Sequence, residues 1–524
     1  MKKSHISILL LLGIIISMSS CKNEFDDFIK DPNKAESVPP DLLLRKILYD
    51  MYTAPFDSYE RWDQFTCCNF NYYGNNKYDW TSATLHYDDL ENIQRMEAEA
   101  IKSGAEALSP YEALGKFLEA YFFVDMTMKV GDLPMTEALE GQKNFKPKYD
   151  TQKNIFIQCL KWLDSANTDL GALIKKADQD LDGDFYYNND LSKWQKAVNT
   201  FRMRVLISLS NKAGDQDLNV SGQFQMIMND PEKYPVFQSM DDNLQFTYDK
   251  DFDKYPNNPD VFGFQQLRYN MAATYLNTLS ALHDPRVYVV AEPARQYAAD
   301  HGYPLTDYRA FIGANSGEDQ GVMANKTILE YYSLINRKRY YSTYTGEPTF
   351  IISYPEMCFN IAEAINRGWI SGNAEQWYKQ GIQSMISFYD IQDGQNTVYF
   401  LKPGGDITKP NDYEQYTISF NFDTYYNQPA VKYAGNNQQG LKQVLIQKYL
   451  SFFRNSGLEA YYNYRRTGVP DFLTGPNTGN GGHIPLRFQY PIDEASTNPD
   501  NYQSAVKSQF GGTDDINGAI WLIK

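Results

Sequence analysis

A helical period in the apolar residues is the feature that most restricts how this 524-residue chain can fold. In the segment IFIQCLKWLDSANTDLGALIKKA, residues 155–177, apolar side chains recur at steps of three and four, which places them on one side of a helix. The residues on that side are Phe156, Cys159, Leu160, Leu163, Leu170, Leu173, Ile174 and Ala177. The pattern predicts a long amphipathic helix with one buried face.

The same period returns further along the chain and predicts a mainly α fold. It appears in residues 191–210, with Ser192 as the expected N-cap, in 354–369, in 374–389 and near residue 450. Segments 354–369 and 374–389 form a helix–turn–helix of about tetratricopeptide length, with the small residues Ala362 and Gly381 where the helices would approach closely. We therefore expect a tetratricopeptide-like scaffold of helix pairs with minor β structure.

Four long segments between the predicted helices are rich in Asn, Gly, Asp and Tyr. They are residues 66–83, 241–264, 394–440 and 474–518. Connections of this length usually carry function in an ordered domain. We expect long irregular loops there.

The N-terminus has the three parts of an export signal. The basic start MKKSH is followed by ISILLLLGIIISM, which is too short for a transmembrane helix, and then by Ser19, Ser20 and Cys21. A cysteine after small residues is typical of a lipoprotein signal, in which its thiol is acylated and becomes the new N-terminus. Residues 1–20 are then the signal, and 21–524 one domain, or two closely packed lobes, because no Pro/Gly/Ser linker divides it. The alternative is an ordinary secretory signal with a chance cysteine.

Charge and cysteine usage limit the partners and the chemistry. The net charge of −16 becomes more negative once Lys2 and Lys3 are removed, so nucleic acid is not an expected partner. Cys159 and Cys358 lie on apolar helix faces and are expected in the core. For Cys67 and Cys68, two buried thiols are favoured over a strained vicinal disulfide.

No recognisable catalytic motif is present. The sequence lacks HExxH, GxSxG, paired CxxC and a phosphate loop, and only four histidines follow the signal. These patterns favour a binding protein over an enzyme. A glycosidase hidden among the 65 acidic residues, or a structural repeat lipoprotein that assembles other proteins, remain the alternatives.

One acidic string resembles part of a calcium loop. Asp178, Asp180, Asp182 and Gly183 match positions 1, 3, 5 and 6, where alternating carboxylates can converge on a hard cation. Position 12 should be glutamate and is Asn189. The alternatives are a calcium site and an acidic turn between two helices, and no other cofactor is expected.

Aromatic residues cluster in the polar loops. Tyrosine and tryptophan offer a flat apolar face with a polar tip, which suits sugar rings or peptides, although most aromatics pack in cores. The clusters lie in residues 69–80, 246–264 and 340–348. The expected ligand-binding residues are Tyr72, Tyr73, Asn76, Tyr78, Trp80, Tyr255, Asn257, Phe262, Tyr341 and Tyr344.

Several motifs together resemble the SusD/RagB family of nutrient-binding outer-membrane lipoproteins. They include the lipobox, DPN at 31–33, VPPDLL at 38–43, HDPR at 283–286 and AEAINRGW at 362–369. The segment DGDFYYNNDLSKWQKAVNTFRMR resembles the family's helix entry, and YYNYRRTGVPDF with HIPLRFQYPIDEASTNPDNYQSAV resembles its C-terminal signature. The residues carrying that signature are Arg465, Arg466, Thr467, Gly468, Pro470, Arg487, Tyr490, Pro491, Glu494 and Asn498.

The resemblance implies a surface lipoprotein that works with a transporter. Such proteins form a lid on a SusC-like TonB-dependent outer-membrane barrel, capture oligosaccharides or, in some members, peptides, and perform no catalysis. Acylated Cys21 would hold the chain in the outer membrane, and the acidic KNEFDDF after it resembles a tag for the cell exterior. Arg465 and Arg466 are expected to bind carboxylates, with Glu494 as a candidate partner.

Overall fold

The computed structural model describes residues 37–524. The predicted signal, Cys21 and the DPN motif lie outside the described residues. The twenty α-helices in this part are α1 (Pro40–Asp50), α2 (Ser58–Trp62), α3 (Tyr87–Lys102), α4 (Pro110–Val130), α5 (Gln152–Lys175), α6 (Leu191–Ser208), α7 (Val220–Asn229), α8 (Phe262–Gln265), α9 (Ala273–Ala281), α10 (Val287–Val290), α11 (Arg295–His301), α12 (Gln320–Ile328), α13 (Arg337–Tyr341), α14 (Tyr354–Asn366), α15 (Ala374–Phe388), α16 (Phe422–Tyr426), α17 (Gln438–Ser451), α18 (Glu459–Thr467), α19 (Glu494–Thr497) and α20 (Pro499–Phe510). Among these residues, no helix has both the length and the apolar character needed to cross a bilayer.

The long helices pack as successive pairs, which confirms the predicted fold class. Helix α3 packs against α4, α4 against α5, and α5 against α6, while α6 also contacts α14. Helices α14 and α15 form the predicted pair, with α17 packed against both. Gly381 of α15 lies directly against the ring of Phe359 in α14, so a small residue is required where these helices meet.

The start of α6 differs from the sequence prediction. Asp190 is the N-cap, and its carboxylate accepts hydrogen bonds from the backbone N–H groups of Ser192 (2.9 Å) and Lys193 (3.4 Å). The predicted cap, Ser192, lies inside the first turn, and its hydroxyl hydrogen-bonds to the same carboxylate at 2.6 Å. An aspartate one position before an apolar residue is as good a cap as serine, which is why the prediction was misplaced.

Six short strands form three two-stranded antiparallel sheets in the described residues. They are β1 (Thr66–Cys68), β2 (Leu244–Phe246), β3 (Tyr269–Met271), β4 (Thr349–Ile352), β5 (Gly394–Leu401) and β6 (Tyr413–Phe420). The pairs are β1 with β3, β2 with β4, and β5 with β6. All four segments predicted as irregular therefore contain regular structure, since 66–83 includes β1, 241–264 includes β2, 394–440 includes the β5–β6 hairpin and 474–518 includes α20.

The four cysteines in the described part are free and buried. Cys67 and Cys68 lie in β1 as two separate thiols, as favoured from the sequence, and burial raises the pKa of Cys67 to about 12. Cys159 and Cys358 are both in the hydrophobic core, as predicted.

The family motifs meet in a buried ion pair. The guanidinium of Arg466 contacts both carboxylate oxygens of Glu363, at 2.5 and 3.0 Å, and Glu363 is fully buried. Burial alone would raise the pKa of Glu363, but the charge of Arg466 outweighs it and lowers the pKa to about 2. This pair joins the AEAINRGW helix to the RRTGVP segment.

The expected partnership of Arg465 and Arg466 with Glu494 is wrong. Arg465 donates instead to the backbone carbonyl oxygens of Met128 and Leu486, both at 2.9 Å. Glu494 accepts a hydrogen bond from the hydroxyl of Tyr149. The sequence contains 65 acidic residues, and no local pattern shows that Glu363 pairs with Arg466, which lies 103 positions away.

Candidate functional site

The three aromatic segments predicted to bind ligand adjoin one another in the structure. Strand β1 pairs with β3, which brings the segment after Cys68 beside the segment before Tyr269. The backbone N–H of Tyr255 donates to the carbonyl oxygen of Tyr344 at 2.8 Å, which joins the second and third segments. Side chains separated by up to about 270 positions in sequence are thus brought to one region.

The first segment is a closed loop that presents two tyrosines. The side-chain amide of Asn76 accepts from the Cys68 N–H (2.7 Å) and donates to the Cys68 carbonyl oxygen (3.0 Å), which closes the loop. Gln320 of α12 donates to the carbonyl oxygens of Cys68 and Gly74 and fixes it from the other side. Tyr72, at the loop tip, is 88% exposed.

Three predicted ligand residues of this segment are buried instead. Asn76 closes the loop, the hydroxyl of Tyr78 donates to the carbonyl oxygen of Trp62 at 2.7 Å, and Trp80 stacks on Phe488 with ring centroids 4.1 Å apart. Their burial is incompatible with contact to a ligand at this surface, so the prediction for these three residues was wrong. Most aromatic residues pack in cores, so aromatic residues near a polar loop are commonly anchors of that loop.

The second segment is also anchored by residues predicted to contact ligand. Tyr255 is fully buried, and its ring lies so close to Gly346 that a side chain at this glycine would overlap it. Asn257 is 1% exposed. Both residues hold the loop down, and direct ligand contact through them is ruled out in this conformation.

The third segment contributes one buried and one accessible tyrosine. Tyr341 is 1% exposed and packs edge-on against Phe262, with centroids 5.4 Å apart, so it supports Phe262 and is not itself available. The hydroxyl of Tyr344 donates to Asp260 at 2.9 Å, and Lys254 lies over the Tyr344 ring at 4.6 Å. The hydrogen bonds from Lys254 and Tyr344 lower the pKa of Asp260.

Two residues that sequence reasoning missed complete the region. Phe264 is 79% exposed on the short helix α8. Arg268 donates to the backbone carbonyl oxygen of Tyr73 at 3.3 Å, and its guanidinium lies 4.8 Å from the centre of the Tyr73 ring. Phe264 lies inside the aromatic segment 246–264 and could have been predicted from the sequence, whereas no local pattern indicated Arg268.

We call this region the aromatic loop surface. Its members are Tyr72, Tyr73, Phe262, Phe264, Arg268 and Tyr344. Exposed rings beside hydrogen-bonding and charged groups can stack on the apolar face of a sugar ring and bond its hydroxyls. Four of the ten predicted residues, Tyr72, Tyr73, Phe262 and Tyr344, stay predictions as ligand contacts.

The acidic string is folded by its own backbone. Asp178 accepts from the Asp180 N–H at 3.0 Å, and Asp182 from the Gly183 N–H at 2.7 Å. In residues 37–524, no three His, Cys, Asp or Glu side chains are grouped as a metal would require. Calcium binding by Asp178, Asp180 and Asp182 therefore stays a prediction, without a preformed site in this part of the chain.

The neighbouring Asp184, not singled out from the sequence, organises this turn. Its carboxylate accepts from the indole N–H of Trp194 at 2.8 Å and from the backbone N–H of Asn189 at 3.0 Å. Gly183 has a φ of +91° and lies against the backbone of Asp41 in α1, where a side chain could not fit. The DGD motif thus docks the turn onto α1 and α6.

Comparison with known proteins gives one family and many related structures. A SusD-like family model described as "Starch-binding associating with outer membrane" matches residues 32–491. No curated protein matches the chain. An outer-membrane protein from Bacteroides vulgatus ATCC 8482, described as involved in nutrient binding, is 26% identical over 93% of this chain and 100% of that one, with a TM-score of 0.76.

Two further structures show the same fold. A SusD homologue from Bacteroides fragilis NCTC 9343 is 29% identical over 93% of this chain and 100% of that one, with a TM-score of 0.75. A chitin-binding SusD homologue from Flavobacterium johnsoniae is 18% identical over 93% and 98%, with a TM-score of 0.68.

Proposed function

The chain belongs to the SusD-like family, whose members associate with the outer membrane, and from that premise we propose that it captures oligosaccharides through the aromatic loop surface. It then delivers them to a SusC-like TonB-dependent barrel, while acylated Cys21 holds it in the outer membrane with its body outside the cell. The observation that carries the proposal is the meeting of three distant aromatic segments, with Tyr72 and Phe264 exposed and Arg268 held against Tyr73.

The buried members of the same segments support this assignment. Asn76, Tyr255 and Tyr341 fix the loops from below, so the exposed rings are held in place before a ligand arrives. A preorganised surface loses less conformational freedom on binding than a mobile one. Tyrosine and phenylalanine rings have few rotatable bonds and suit such a surface.

The binding test uses the purified mature protein and a panel of oligosaccharides and peptides. Because some structural neighbours are chitin-binding proteins, oligomers of N-acetylglucosamine belong in the panel together with starch oligomers. We expect Tyr72→Ala and Phe264→Ala to weaken binding of the preferred oligosaccharide about 5- to 100-fold each, which corresponds to about 1–3 kcal/mol per stacked ring.

A matched exposed aromatic serves as the control. Phe145 is 74% exposed and lies in none of the three aromatic segments, so Phe145→Ala should leave the affinity unchanged. Equal loss with Phe145→Ala, or unchanged affinity with both test variants, would contradict the proposed surface.

Peptide capture is the second candidate within the same system. The Asp260–Lys254–Tyr344 group offers both charges at the rim of the aromatic loop surface, which also suits a polar peptide. Binding of peptides in preference to every oligosaccharide in the panel would establish this alternative. Release of shortened products from any oligosaccharide would instead show a glycoside-active enzyme.

The transporter partnership has a separate test. Affinity purification of the tagged protein from outer-membrane extracts should recover a TonB-dependent barrel of the SusC type in stoichiometric amount. Recovery of the protein alone under mild detergent would count against delivery to such a barrel, whatever the binding panel shows.

A further inference from the structure

A cavity of about 340 Å³ lies inside the helical body. It is enclosed by the segment after α1, by α4 and α6, by β4 and by the start of α18. Asp57 and Thr84, both exposed, stand among its lining residues, so it is open to solvent. No member of the aromatic loop surface lines it.

Several polar groups of the cavity wall lack protein partners. The carboxylate of Glu459 makes no hydrogen bond or ion pair with any described residue. The hydroxyl of Tyr462, which is 5% exposed, and the hydroxyl of Ser456 are buried without a hydrogen-bond partner among those residues. Buried polar groups are normally satisfied, so these hydroxyls are available to hydrogen-bond a group bound in the cavity.

The cations in the cavity wall already form ion pairs with other carboxylates. Arg204 forms a two-point pair with Glu356, and Lys129 donates to Asp125 at 2.6 Å. His86 lies 2.9 Å from Asp89 and 3.4 Å from Asp125. Burial would lower the pKa of His86, but the hydrogen bonds to Asp125 and Asp89 outweigh it and raise the pKa to about 9. None of the three cations is left to neutralise Glu459 fully.

Carboxyl groups outnumber cations around the cavity. The carboxyl groups that line or back it are Asp50, Asp57, Asp89, Asp125, Glu356 and Glu459, and the cations are Lys46, His86, Lys129 and Arg204. Burial and the neighbouring Asp89 raise the pKa of Asp50. Burial also raises the pKa of Glu459, so a cation bound beside this carboxyl group would favour its charged form.

We propose that this cavity is a second binding site, for a small ligand with a primary ammonium group. The ammonium lies against the Glu459 carboxylate, with the Tyr462 and Ser456 hydroxyls beside it. The rest of the ligand lies against the aromatic wall formed by Tyr121, Phe122, Phe201 and Phe350. A cation is attracted both by a carboxylate and by the faces of aromatic rings.

The size of the cavity sets the class of ligand. A volume of about 340 Å³ lies at the lower end of the range for small-molecule sites. It suits one amino sugar or a small amine better than an oligosaccharide. The site is therefore independent of the oligosaccharide capture proposed for the aromatic loop surface.

Calorimetric titration of the purified mature protein with glucosamine and with glucose tests the proposal. The two sugars differ in a single group, ammonium against hydroxyl, so the comparison isolates the charge. We expect glucosamine to bind at least about tenfold more tightly than glucose, because a hydrogen bond between an ammonium and a carboxylate is stronger than one from a neutral hydroxyl.

Two variants locate the binding. Glu459→Gln keeps the volume and removes the charge, and should reduce glucosamine affinity to that of glucose. Ala54→Leu narrows the cavity and should abolish binding of both sugars, which keeps the test decisive if Glu459→Gln folds poorly. Phe264→Ala should leave glucosamine binding unchanged, because Phe264 belongs to the aromatic loop surface.

Three results would overturn the proposal. They are equal affinity for glucosamine and glucose, unchanged glucosamine affinity in both Glu459→Gln and Ala54→Leu, and no binding of glucosamine at millimolar concentration. Loss of glucosamine binding in Phe264→Ala would place the ammonium site on the aromatic loop surface instead.

Discussion

The ion pair between Arg466 and Glu363 shows how a residue of a sequence motif acts on stability. Both side chains are buried, and removing Arg466 leaves the Glu363 carboxylate with Arg367, at 2.8 Å, as its one remaining ion-pair partner among the described residues. We expect Arg466→Met to lower the free energy of unfolding by about 3–5 kcal/mol, measured by denaturant titration. The double variant Arg466→Met/Glu363→Gln should recover part of this loss, and additive losses would show that the two residues do not act as a pair.

The same pair makes a pH prediction. The pKa of Glu363 is about 2 in the folded protein and about 4.3 in an unfolded chain. Because the folded pKa is the lower one, the contribution is complete above about pH 4.3 and disappears as the pH falls toward 2. Unfolding titrations should therefore show a shallower loss of stability between pH 4.5 and 2 in Glu363→Gln than in the wild-type protein. Equal slopes would contradict the depressed pKa.

Trp80 and Phe264 form a second residue-level comparison. Trp80 is buried and stacked on Phe488, whereas Phe264 is mostly exposed. Trp80→Ala should cost about 3–5 kcal/mol of unfolding free energy, and Phe264→Ala should change it by less than about 0.5 kcal/mol. Thermal melts of both variants check this prediction. A Trp80→Ala protein as stable as the wild type would contradict the buried position of Trp80 and make it a possible ligand contact again.

At the scale of elements, the sequence predicts the helices that keep one polar face. The apolar side chains of helix α5 repeat along one side and its other side faces solvent. Its start could therefore be predicted to within a few residues. Helix α4 has apolar residues on most sides and is almost wholly buried, so its few polar residues give only a weak period. The β5–β6 hairpin was missed because its strands lie within a segment rich in glycine and asparagine.

The α14–α15 pair carries a prediction about packing between elements. The Cβ atom of a side chain at Gly381 would lie about 2.7 Å from the Phe359 ring, which is closer than van der Waals contact allows. Gly381→Val should lower the unfolding free energy by about 1–3 kcal/mol, because the buried ring must move. Gly214 has open space around it, so Gly214→Val is the matched control and should have a smaller effect. Similar melting temperatures for the two variants would contradict close packing of this pair.

At the scale of the whole molecule, the aromatic loop surface could be predicted only in part. Composition identified three aromatic segments, and the fold brings them together. Which ring faces solvent depends on contacts such as Asn69 with Leu267 or Arg268 with Tyr73, each between residues nearly 200 positions apart. A single sequence contains no record of such contacts, so Tyr78, Trp80 and Tyr255 could not be told apart from Tyr72.

The proposed attachment to the membrane is a property of the whole molecule, and it depends on one side chain, Cys21. If its thiol is acylated, cells grown with labelled palmitate should yield a labelled protein in the outer-membrane fraction. Cys21→Ser should lose the label and leave that fraction, while Cys67→Ser, a buried thiol in β1, should retain both. Protease added to intact cells should digest the wild-type protein if its body faces outward. A labelled Cys21→Ser protein would contradict the anchor. Full protection from protease in intact cells would contradict the outward orientation. Neither result bears on what the aromatic loop surface binds.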